Sequence, residues 1–61
     1  MLVKFALRLP GDHRVVEERL LDAVPRVDEC VVLEGIAYCV HDVTWMIERD
    51  AKDTHVKVLL R

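Results

Sequence analysis

Residues 12–25, DHRVVEERLLDAVP, decide the fold, because they read two ways. As a helix the stretch has Asp12 for an N-cap, Val16, Leu20 and Val24 one turn apart, good helix formers in Glu17, Glu18 and Arg19, and Pro25 as a stop. As a strand it pairs back on the segment before it, across the turn PGDH at 10–13, where Gly11 can take positive φ. Val15 and Val16 are adjacent, however, and break the two-residue alternation a strand needs. Local signals therefore lean to the helix, but local propensity yields readily to tertiary pairing. The flanking segments carry more weight.

Those flanks are strands. In LVKFALRLP, Val3, Phe5, Leu7 and Leu9 share one face while Lys4, Ala6 and Arg8 share the other. VDECVVLEGIAYCV at 27–40 reads as a hairpin with Glu34-Gly35 at its tip. A two-residue tip sets Leu33 against Ile36, Val32 against Ala37, Val31 against Tyr38 and Cys30 against Cys39. The cysteines then occupy a non-hydrogen-bonded pair, where Cα atoms approach to roughly 4.5 Å. Val31, Leu33, Ile36, Tyr38 and Val40 form one apolar face, and Cys30, Val32, Ala37 and Cys39 a smaller one behind it. Tyr38 and Val40 are even-numbered but Val43, Trp45 and Ile47 are odd, so the apolar phase slips at His41-Asp42. A β-bulge there keeps both halves on one core and bends the strand, as small barrels require. ERDAKD at 48–53 is a charged loop, and THVKVLLR at 54–61 a last strand with Val56, Val58 and Leu60 on one face.

The 61 residues make a single domain, 1–61, that buries only about 60% of its unfolded surface, so stability is marginal without association. With 52% apolar residues and two each of glycine and proline, the chain is too hydrophobic for disorder. A net charge of −2 offers no general field for phosphates, so non-specific nucleic-acid binding is not expected. No apolar run approaches the roughly 18 residues of a membrane span, and no secretory signal is visible, so no membrane partner and a cytoplasmic location are expected. Two cysteines do not make a secreted disulfide scaffold. There is no serine, no positioned Cys-His or acid triad and no phosphate loop, so no enzyme, no catalytic residue and no cofactor are expected.

VPRVDECVVLEGIAYCVHDVTW, residues 24–45, resembles a pattern in short proteins of actinobacteria and their phages: Val-Pro-x-Val-Gly-Asp/Glu, a hairpin tipped x-Gly, Tyr-x-Val, then Asp-Val-x-Trp. Where those relatives have glycine this chain has Asp28, so the turn there is in question. The resemblance implies a small all-β accessory module whose segment after the first strand is a second strand, which tips residues 14–22 to strand. Such phage proteins are similar in size to inhibitors of bacterial defence, including ones that sequester nucleotide signals in the host cytoplasm.

The fold expected is therefore mainly β, a five-stranded, strongly bent open barrel of the SH3-like kind. The alternative is α+β, in β-α-β-β-β order, with a helix at 12–24. Cys30, Cys39 and His41 are ligand types zinc prefers, with His55 or water as a fourth, but the spacing is not that of a structural site and no metal is expected. A cross-strand disulfide is geometrically available. The face of Cys30, Val32, Ala37 and Cys39 is a patch that soluble monomers avoid, so a homo-oligomer is expected, unless residues 14–22 cover it. Trp45 and Tyr38 fall on the inferred core side; the alternative for an indole is a platform on which a base stacks. Arg8, Arg14, Arg26 and Arg49 are candidates to clamp a phosphate. The expected function is a non-enzymatic module capturing a small anionic or nucleotide ligand, with Trp45, Arg26, Arg49 and His41 as candidate contacts. Two alternatives are an interaction inhibitor or assembly factor using the hairpin face or a strand edge, and a redox or metal-responsive module.

Overall fold

Residues Asp12–Leu20 form a strand, so the helix of the β-α-β-β-β alternative is absent. The computed structural model describes the backbone of residues 1–9 and 12–61, and the side chains of all of these except 9, 12 and 13. The expected turn at Pro10-Gly11 lies outside the described residues. The strands are β1 (Leu2–Leu9), β2 (Asp12–Leu20), β3 (Cys30–Leu33), β4 (Ile36–Met46) and β5 (His55–Leu60), with one 3-10 turn at Ala51–Asp53. They make one sheet in the order β2-β1-β5-β4-β3. The central pair β1–β5 is parallel and the other three pairs are antiparallel. The sheet curls into an open half-barrel, the small bent β structure expected from the sequence.

What defeats the helix is pairing along the whole of β1. Phe5 faces Glu17 and Ala6 faces Val15, so Val16 is an extra residue, and the adjacency of Val15 and Val16 is absorbed by a bulge. Of the stripe that favoured a helix, only Val24 packs against the core, while Val16 is 43% exposed and Leu20 80%. Without β2, one side of β1 would be left as a bare edge.

The second bulge falls where the apolar phase slips. Val40 faces Leu60 and Asp42 faces Leu59, which leaves His41 as the added residue of β4. Asp42 Oδ1 accepts from the Val43 N–H at 2.9 Å and steadies the exit from the bulge. Since Ala6 and Leu59 are partners across the central pair, the two bulges flank one rung of the sheet, and the bend is concentrated along that line. Inside the bend lie Val3, Phe5, Val40, Val56, Val58 and Leu60, all buried, with Leu7, Leu21, Val24, Val31, Leu33, Tyr38 and Val43 packed against them.

The hairpin has the register its tip dictates, with Cys30 facing Cys39 and Leu33 facing Ile36. Glu34 and Gly35 take φ of 51° and 79°, as a two-residue turn between twisted strands requires. A side chain at Gly35 would meet nothing within 4 Å among the described residues, so backbone angle alone favours glycine there. The turn in question before β3 does form. Glu29 N–H donates to Arg26 C=O at 3.1 Å, and Asp28 takes φ of 72°, in the left-handed region that favours glycine. Asp28 N–H donates to Val40 C=O and Val40 N–H to Glu29 C=O, each at 2.9 Å, so two residues face one in a bulge whose first residue is ordinarily glycine.

Candidate functional site

The connection from β2 to β3 carries Leu21 and Val24 onto the core and then runs beside the far end of β4. There Val24, Pro25, Arg26, Val27, Val43 and Trp45 line a groove of about 330 Å³. Trp45 is 52% exposed, so the reading of this ring as a core aromatic does not hold. Alternation aims it to the concave side, on the rung of the buried Val56 and Val3, but β4 is outside the central pair there and the ring stays half exposed. Tyr38 is half-buried and does pack on the core. The groove thus pairs an exposed indole face with the residue Arg26. The other two candidate contacts lie elsewhere. Arg49 is exposed in the 48–54 loop and is absent from the groove lining; that loop is tied by Thr54 Oγ1, which accepts from the Glu48 N–H at 3.0 Å.

His41 stands on the convex face between two arginines. Arg8 Nη1 donates to its Nε2 at 3.0 Å, and Arg61 Nη1 lies 3.4 Å from its Nδ1. Arg61 also donates through Nη2 to Asp28 Oδ1 at 3.2 Å. This grouping escaped sequence reasoning because Arg8 and Arg61 come together only through the parallel pairing of β1 with β5. The adjacent register partners Leu7 and Leu60 set them side by side.

Cys30 and Cys39 are free thiols with their Sγ atoms 4.0 Å apart. The Cys30 thiol titrates above its ordinary range, first because it hydrogen-bonds to Cys39 and then because a second thiolate beside it is unfavourable, with burial contributing least. Among the described residues no three His, Cys, Asp or Glu side chains converge to hold a metal. The ring of His41 faces the arginines, and His55 Nδ1 is 3.0 Å from the Asp53 carbonyl. On the hairpin's outer side Val32 is 67% exposed, and Cys30 and Ala37 are exposed with it. With these residues exposed, β2 does not cover that face.

Curling brings the two edge strands towards each other. Between them Phe5, Arg19, Leu21, Val31, Leu33 and Glu34 border a cleft of about 390 Å³. Arg19 on β2 reaches Glu34 at the hairpin tip at 3.6 Å and also pairs with Glu17. Glu17 is turned inward, and its Oε2 is buried without a partner among the described residues. No helix of the described residues is long and apolar enough to cross a membrane. No family model matches the chain, and comparison with curated proteins and with solved structures gives no match.

Proposed function

We propose that this chain is a non-enzymatic binding module that captures a small anionic ligand of the nucleotide class, with the base stacked on Trp45 and the phosphate held by Arg26. The observation that carries this reading is the exposed indole in the same groove as Arg26, a pairing of flat apolar surface with a cation that suits a base joined to a phosphate. Val24, Pro25, Val27 and Val43 supply an apolar surround that favours a ring over a bare anion. The resemblance of residues 24–45 to phage accessory proteins supports a role in sequestering such a ligand in a host cytoplasm. The module works as a homo-oligomer joined through the outer hairpin face of Cys30, Val32, Ala37 and Cys39.

Trp45 is the only tryptophan, so its fluorescence reports the groove without ambiguity. Titration with nucleotides, including cyclic dinucleotides, should quench it saturably, and Arg26→Gln should weaken binding roughly tenfold, the loss of one charge-assisted contact. Absence of saturable quenching across mono-, di- and cyclic nucleotides would end this reading. The competing reading, a protein-interaction inhibitor or assembly factor, draws on the free edge of β3 and on the exposure of Val32 and Ile36, at 67% and 56%.

A further inference from the structure

The contacts of His41 cannot all be hydrogen bonds. A guanidinium carries donors only, and a neutral imidazole accepts at one nitrogen while the other bears a hydrogen. In the shorter contact, at 3.0 Å, Nε2 accepts from Arg8, so Nδ1 bears the hydrogen and meets Arg61 Nη1 donor against donor at 3.4 Å. The other tautomer moves the mismatch to Arg8, and a protonated ring places it on both sides. In every state, N–H groups from separate strands converge with no acceptor between them. Asp28 is the one carboxylate in contact with the cluster among the described residues, and it engages only Arg61 Nη2.

The backbone enforces this arrangement. Arg8 and Arg61 follow register partners of a parallel pair and stand side by side on the convex face, while the bulge at His41 turns a third donor-bearing side chain between them. Lys4 and Lys57 face each other farther along the same face, but there Glu18 lies 4.0 Å from Lys4 and offsets one of the two charges. Like charges on neighbouring strands repel unless something negative lies with them. A carboxylate ligand is planar and offers two oxygens, whereas a tetrahedral phosphate offers three to donors arriving from three strands.

The geometry points to Arg8, His41 and Arg61 as a binding site for a dianionic phosphate, either inorganic phosphate or the terminal group of a phosphate monoester. None of the three residues lines the Trp45 groove, so this site stands independently of the reading given above. Its test is a titration of the full chain followed by NMR of the His41 ring and of the arginine Nε–H groups, at fixed ionic strength. The probes are inorganic phosphate, methyl phosphate and dimethyl phosphate. The first two should shift these signals saturably, with dissociation constants on the order of millimolar. The singly charged diester should bind about tenfold more weakly, having lost one charge and one accepting oxygen. Tighter binding of methyl phosphate than of inorganic phosphate identifies an ester as the ligand, and the reverse order identifies phosphate itself. Arg61→Gln should weaken phosphate binding roughly tenfold, and Trp45→Ala should leave it unchanged. Arg8→Gln, on the other side of the ring, repeats the measurement if Arg61→Gln disturbs the fold. Shifts that never saturate, equal binding of the diester, or a loss in Lys57→Gln as large as in Arg61→Gln would each overturn the site in favour of a diffuse positive field.

Discussion

Replacing Asp28 examines the turn from which the hairpin hangs. At φ of 72° a side chain crowds the backbone, at a cost of about 1–2 kcal/mol for a residue such as alanine and less for aspartate, which tolerates the left-handed region. Glycine escapes that cost but loses roughly 0.5 kcal/mol to its freer unfolded chain, leaving it ahead of alanine by about 1 kcal/mol. Both replacements lose the ion pair with Arg61 at 3.2 Å, whose side chains are 77% exposed for Asp28 and 52% for Arg61. So exposed a pair contributes no more than about 0.5 kcal/mol. Asp28→Gly should therefore be as stable as the natural chain to within roughly 0.3 kcal/mol, and Asp28→Ala less stable by about 1 kcal/mol. For a domain of this size that gap separates the two melting temperatures by about 4–8 °C, readily measured by circular dichroism. The same pair of substitutions at Asp22, which lacks positive φ, provides the control, and there alanine should equal or exceed glycine. If Asp28→Ala melts with or above Asp28→Gly, the left-handed bulge does not describe the chain in solution.

Two further outcomes follow from the hairpin. A thiol whose pKa is raised holds less thiolate at a given pH, so Cys30 should alkylate slowly at pH 8 and faster in Cys39→Ala, which removes the raising partner; equal rates in the two proteins would contradict this. Light scattering should give the natural chain a mass above that of one subunit and Val32→Glu the mass of one. A natural chain that is already monomeric, or an unchanged mass in the variant, removes the hairpin face as a subunit contact.

The parts of this fold that were readable are those that arithmetic along the chain decides. A two-residue tip at Glu34-Gly35 is enough to place Cys30 opposite Cys39, and the change from even to odd apolar positions is enough to place the bulge at His41. Adjacent Val15 and Val16 are a signal of the same kind, since a one-residue slip inside a strand is what an extra residue produces. In isolation the pair counts against a strand, and only the register with β1 shows it as a bulge. The parallel pairing of β1 with β5 joins the two ends of the sequence and leaves no local trace, so the grouping of Arg8, His41 and Arg61 could not be read. Trp45 shows a different limit: alternation gives the side to which a residue points, but burial depends on what the rest of the chain lays over it.

The placement of the two bulges on either side of one rung also governs how the molecule can move. Each added residue interrupts its ladder, so compliance is concentrated at a single height, and the sheet behaves as two stiff panels joined along a crease with β1 and β5 as the spine. Flexing about that crease widens or narrows the mouth between β2 and β3, spanned by Arg19 and Glu34, while the rows of Val3 with Val56 and Leu7 with Leu60 keep their spacing. His41 sits on the crease itself, so whatever holds its ring also holds the angle between the panels.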